Sequence, residues 1–156
     1  HSFLVIGNTE NSYGRYITKK FSRDPRIIFL SSLFDQDAVH TLRKFSRLYF
    51  HGHSVGGTNP SLLEAMASRV MIAANNNLFN RAILKDDAYY FSNVNDVTIL
   101  IEQSVSLHDE SCIQNNYQKI SEHFNWEKIV EMYHEFLSAS YHSAFPVKKI
   151  SAEVFV

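Results

Sequence analysis

Leu48-Tyr49-Phe50-His51-Gly52-His53-Ser54-Val55-Gly56-Gly57-Thr58-Asn59-Pro60-Ser61-Leu62-Leu63-Glu64-Ala65-Met66 is the stretch on which the reading of this chain turns. An apolar strand runs into a Gly-Gly loop, and the loop opens a helix. Gly56 and Gly57 allow a sharp turn and a close approach of backbone to a ligand, since no Cβ stands in the way. Asn59 is a good helix N-cap, and Pro60 suits the first helical position, where its missing N–H costs nothing. Free N–H groups and the positive end of the helix dipole then face the space above the strand end, which favours an anion, usually phosphate. Glu64, on the second turn, would repel that phosphate and fits better as an acceptor for a pair of sugar hydroxyls. Phosphate beside hydroxyls describes a nucleotide or nucleotide sugar. The same residues also make ordinary turn-and-cap chemistry, with Glu64 a solvated helix residue.

Outward from this stretch, strands and helices alternate. Phe3-Leu4-Val5-Ile6 is a continuous apolar run ended by Gly7, as in a strand buried on both faces. A helix follows from Tyr13, with Tyr13, Tyr16, Ile17 and Phe21 on one face. Arg26 to Leu30 reads as a second strand, and Asp35 caps a helix whose inward face is Ala38, Val39, Leu42 and Phe45. Beyond the central helix come a strand at Val70 to Ala73, a helix at Leu78 to Leu84 and a strand at Ala88 to Phe91. Asp96 is expected to cap a helix through Val105, and His108-Asp109-Glu110 to start another reaching about His123. Asn125 caps the last, with Trp126, Ile129, Val130, Tyr133, Phe136 and Leu137 as a wide apolar stripe. Tyr13, Tyr16, Trp126 and Tyr133 are expected in the core. This alternation implies an α/β fold, a doubly wound parallel sheet with helices on both faces, in which ligands bind outside the carboxyl ends of the strands.

The chain has 156 residues, 45% hydrophobic and 20% charged, with a net charge of −1. That suits one soluble domain and argues against a nucleic-acid binder, which would carry a basic excess. Cys112 stands alone, so no internal disulfide framework exists and a reducing cytoplasm is expected. No apolar run approaches the ~20 residues of a transmembrane helix, and no signal peptide precedes the first strand. His51 and His53 lack neighbouring metal-ligand partners in the sequence, so no metal is expected.

From Phe3 to about Leu137 the chain resembles the C-terminal, donor-binding half of a GT-B fold glycosyltransferase of family 4, a Rossmann-like unit. Phe3-Leu4-Val5-Ile6-Gly7 resembles the family's "LVIVG" strand. Arg26 to Leu30 with Asp35-Gln36-Asp37 resembles its "RVxFLG…D" strand and helix start. Pro60-Ser61-Leu62-Leu63-Glu64-Ala65-Met66-Ala67 resembles its "PxLEAMA" helix, and Phe124-Asn125-Trp126-Glu127-Lys128-Ile129 its "FSWEKIA" helix start. His-Gly-His-Ser-Val-Gly-Gly-Thr-Asn-Pro is closest to a bacterial rhamnosyltransferase-like subgroup of polysaccharide biosynthesis.

The resemblance implies a transferase that moves a sugar from a nucleotide-diphosphate sugar (dTDP-, UDP- or GDP-linked) to a polysaccharide or lipid-linked acceptor, with no metal or other cofactor. It implies that Glu64 holds the ribose hydroxyls, and that Gly57, Thr58 and Asn59 present N–H groups to the diphosphate or sugar. The Ser31-Ser32-Leu33-Phe34 loop, Leu33 included, would border the base, and His53 could donate a hydrogen bond to phosphate or sugar. Catalytic residues stay unassigned. The family has two glutamates, and Gly56 occupies the first position, which leaves donor-sugar contacts and stereochemistry open. The family's domain also begins with an earlier strand and helix, and an N-terminal acceptor domain precedes it. Residues 1–137 are therefore expected to be an N-terminally truncated donor-binding domain, inactive alone, with a C-terminal tail at 138–156. Glu153-Val154-Phe155-Val156 could fill the vacant strand position. A cytoplasmic enzyme is expected, peripheral to the inner face of the membrane through the missing domain. The alternative is a non-catalytic doubly wound module that binds a nucleotide or a partner.

Overall fold

The computed structural model describes residues 2–104 and 106–145. The elements follow in the order β1 (Phe3–Ile6), α1 (Ser12–Phe21), β2 (Ile27–Leu30), α2 (Gln36–Lys44), β3 (Tyr49–His51), α3 (Pro60–Ala67), β4 (Ile72–Asn75), α4 (Leu78–Leu84), β5 (Tyr89–Phe91), α5 (Val94–Gln103), α6 (Glu110–His123) and α7 (Trp126–Ala144). All strand pairs are parallel, which confirms the α/β class. The helices start where side chains cap them: Asn11, Asp35, Asn59, Asn77, Asp109 and Asn125 each accept a first-turn N–H. Helix α5 departs from expectation. Its cap is Asn93, and Asp96 is the third residue of a capping box, its carboxylate accepting from the Asn93 N–H. Val105, the expected end of that helix, lies outside the described residues.

The strands form two small sheets, β1-β2 and β3-β4-β5, in place of the single continuous sheet expected. Phe3 pairs with Ile27 in the first, and Tyr49, Phe50 and His51 pair with Ile72, Ala73 and Ala74 in the second. The Phe50 and Phe91 rings meet at 6.1 Å across β4, where Phe50 pairs with Ala73 and Phe91 with Asn75. The Phe3 and Phe50 rings meet at 5.9 Å with no hydrogen-bonded register joining β1 to β3. The edges of the two sheets stay unpaired with each other among the described residues, which leaves the place between them without a hydrogen-bonded strand. The suggestion that residues 153–156 fill that place falls outside the described residues.

The core is centred on α3 and β4. Leu62, Ala65, Met66, Val70, Ile72, Ala74 and Leu84 form one buried cluster, with Tyr49, Leu63, Ile83 and Ile120 packed against it. Strand β4 begins two residues later than expected, because an unbroken apolar run carries no alternation to set its ends. Core packing expected for four aromatics is not found: Tyr13, Tyr16, Trp126 and Tyr133 are all exposed. Helix α7 buries no residue and runs on to Ala144, beyond the expected boundary at Leu137. Among the described residues no helix is long and apolar enough to cross a membrane.

Candidate functional site

The candidate site is built on the end of β3, the loop 52–58 and the first turns of α3. Gly56 has φ +104°, a conformation that L side chains rarely adopt, so the turn requires glycine there. Gly57 has no such φ. A Cβ at Gly52, Gly56 or Gly57 would meet nothing within 4 Å, so the loop borders open space. The Asn59 side chain accepts from the Ser61 N–H at 2.9 Å and from the Ser61 hydroxyl at 2.8 Å, which fixes the helix start.

Two asparagines hold the loop from the side. Asn77 Nδ2 donates to the His53 carbonyl at 2.9 Å, and the buried Asn80 donates to the same oxygen at 3.2 Å and to the Asn75 carbonyl at 2.9 Å. Asn77 and Asn80 thereby tie the loop after β3 to the start of α4. The neighbouring Arg81 donates from Nε to Asn76 Oδ1 and sets its guanidinium 4.1 Å from the Tyr90 ring.

Below the loop a column of rings leads to Glu64. His53 stacks on His51 with centroids 4.9 Å apart, His51 lies 6.2 Å from Tyr49, and the Arg43 guanidinium sits 5.7 Å from the Tyr49 ring. Arg43 Nη1 then pairs with Glu64 Oε2 at 2.7 Å. His51 is 1% exposed, and neither ring nitrogen has a partner among the described residues. Burial, with a smaller contribution from His53, lowers its pKa from 6.5 to about 4, so the ring is neutral at pH 7.

Of the residues singled out from the sequence, His53, Gly56, Gly57, Thr58 and Asn59 share one loop, and Glu64 lies one turn further along α3, its side chain turned toward α2 and 46% exposed. Leu33 lies half-buried in the separate loop after β2, beside the exposed Phe34. Sequence reasoning missed Arg43 and the buried state of His51. Arg43 gave no signal, since it reads as an ordinary last-turn cation of α2. No group of His, Cys, Asp and Glu suited to a metal occurs among the described residues.

No protein-family model matches the chain, and no curated protein matches it. Several solved structures resemble it, two of them as follows. One is Anabaena Alr3699/HepE in complex with UDP-glucose, with TM-score 0.69 and 16% identity over 88% of this chain and 41% of that one. The other is the C-terminal domain of the glycosyl transferase group 1 family protein LpcC from Francisella tularensis, with TM-score 0.53 and 19% identity over 73% of this chain and 62% of that one. At these identities the likeness shows the fold alone, an α/β unit shared with part of HepE and with the C-terminal domain of LpcC. The chain spans less than two thirds of either structure.

Proposed function

We propose that this chain is the donor-binding portion of a glycosyltransferase that takes its sugar from a nucleotide-diphosphate sugar. The observation that carries the reading is the loop 52–58: it turns on a positive-φ Gly56, borders open space at three glycines and leads into a capped helix whose second turn bears Glu64. The N–H groups of Gly57, Thr58 and Asn59, with the α3 dipole behind them, would bind the diphosphate and stabilise the charge that grows on it as the glycosidic bond breaks. Glu64 would accept from the ribose hydroxyls, the loop carrying Leu33 would border the base, and His53 would donate to phosphate or sugar. The likeness to HepE, whose structure holds UDP-glucose, supports this class of ligand.

The finer assignment is to family 4 and its rhamnosyltransferase-like subgroup, acting on a polysaccharide or lipid-linked acceptor at the inner face of the membrane without a metal. It rests on the motifs around Gly56-Gly57 and Pro60–Ala67. An acceptor domain and one further parallel strand would come from the rest of the enzyme. The unpaired edges of the two sheets and the exposed apolar stripe of α7 are surfaces such a remainder would cover.

Calorimetric titration with UDP-, dTDP- and GDP-sugars tests the reading, with Glu64→Ala as control. Binding selective for one base, weakened by about 1–3 kcal/mol in Glu64→Ala, is expected. Glu64→Ala binding as tightly as the parent would refute the ribose role.

A further inference from the structure

We infer that Arg43 is a positioning residue: it holds the Glu64 carboxylate in the orientation that accepts the ribose hydroxyls, and sets affinity for a ribonucleotide through that carboxylate without touching the ligand. This deepens the donor-binding reading above and rests on it.

Arg43 lies in the last turn of α2, where a surface cation would ordinarily be solvated, yet its side chain is only 13% exposed. It is covered on one side by the Tyr49 ring at 5.7 Å and ends against Glu64 at 2.7 Å. Tyr49 is itself fixed: it pairs with Ile72 in the sheet, and its hydroxyl lies 3.4 Å from the Ser61 hydroxyl at the start of α3. The guanidinium is therefore set by a strand and a helix on which the candidate site is built. A Lys would reach Glu64 without the planar face that rests on Tyr49.

Arg43 takes one oxygen of Glu64. A carboxylate has about four lone-pair positions, so Oε1 and part of Oε2 stay available. Glu64 remains 46% exposed and lines a groove of about 270 Å³ between α2 and α3, with Gln36, Asp37, His40 and Ser68. Unpaired, a half-exposed glutamate samples several rotamers, and ordering it on binding costs free energy. With Arg43 in place that ordering is complete before the ligand arrives.

The competing explanation is that the ion pair only ties α2 to α3. Those helices are already joined beside it, where the Ser68 hydroxyl meets His40 Nδ1 at 2.9 Å and Val39 is buried. A partly exposed ion pair adds little to stability.

A double-mutant cycle separates the two, read by calorimetry with UDP-glucose and with GDP-mannose as second probe, on Arg43→Gln, Arg43→Lys, Glu64→Ala and the Arg43→Gln/Glu64→Ala double variant. Thermal melting confirms that each is folded, and Arg43→Lys serves should Arg43→Gln not fold. Arg43→Gln is expected to weaken binding about fivefold and Arg43→Lys less, and the double variant to bind no more weakly than Glu64→Ala. If the two losses multiply in the double variant, or Arg43→Gln binds as tightly as the parent, the positioning role is wrong. If Glu64→Ala matches the parent, or the parent binds neither sugar nucleotide, the donor-binding reading fails and the positioning role with it.

Discussion

Replacing His51 with leucine, close to imidazole in volume, should reduce this protein's sensitivity to mild acid. His51 is 1% exposed and has no hydrogen-bond partner among the described residues, and its pKa falls from 6.5 to about 4. In the unfolded chain the ring takes up a proton near pH 6.5, whereas in the folded chain it resists until about pH 4. The unfolded state binds the proton first, so the stability His51 allows is fully present above pH 6.5 and is lost as pH falls toward 4. A separation of about 2.5 pH units corresponds to about 3 kcal/mol once both states are protonated, and to about 2 kcal/mol by pH 5. Asp24, whose pKa is lowered to about 2 by the Arg26 side chain, acts only below this window. The assay is urea unfolding of parent and His51→Leu between pH 8 and pH 4.5, taking the difference so that every other titrating group cancels. The parent should lose about 2 kcal/mol more than the variant by pH 5, about 1 M in midpoint for a typical urea slope. Parallel curves for the two proteins, or an NMR titration placing His51 near pH 6.5, would refute the reasoning.

Gly14→Ala should destabilise strongly, by more than about 2 kcal/mol in urea unfolding, because its Cβ would lie 2.5 Å from Thr9 Cα and meet backbone that cannot step aside. Lys119→Met should cost about 3 kcal/mol: Lys119 bonds Asp87 at 2.6 Å and the Leu84 carbonyl at 2.7 Å, and its loss leaves a largely buried carboxylate. Lys119→Met/Asp87→Asn should recover part of that loss in the same assay. At the glycine loop, Gly56→Ala should lose about 1–3 kcal/mol of stability through its φ of +104°, whereas Gly57→Ala should melt as the parent does and lose affinity for a nucleotide sugar.

What the sequence disclosed was whatever local chemistry specifies. An Asn or Asp ahead of an apolar-periodic run marked the helix starts at Asp35, Asn59 and Asn125, because the cap bonds the first turn of its own helix. At α5 the sequence reading put the cap at Asp96, whereas the cap is Asn93, three residues earlier, and Asp96 closes a capping box with it. The glycine loop and Glu64 were readable for the same local reason. Arg43 and Glu64 are 21 positions apart on different helices, and their meeting depends on how α2 packs beside α3. Likewise the sequence places His51 at a strand end but not in the interior; in the fold its backbone pairs with Ala74 of β4 and its ring lies between those of Tyr49 and His53.

The misplaced aromatics belong to a different class. Periodicity shows that a helix has an apolar face, but not what covers it. Trp126, Tyr133 and Phe136 are 77%, 66% and 69% exposed on α7, and Phe3, Leu4 and Ile6 on β1 are 44%, 40% and 39% exposed. Exposed apolar surface of this extent on both a helix and an unpaired strand edge is what a molecule normally hides against a partner. In β4 the same kind of apolar run is fully covered, with Ile72, Ala73 and Ala74 at 0%. The contrast locates the self-sufficient part of the fold around α3 and β4. It is also the part that carries Glu64 and the glycine loop, so the candidate site stands on the best-packed elements. The uncovered apolar surfaces lie on β1 and α7, neither of which contributes a residue to that buried cluster.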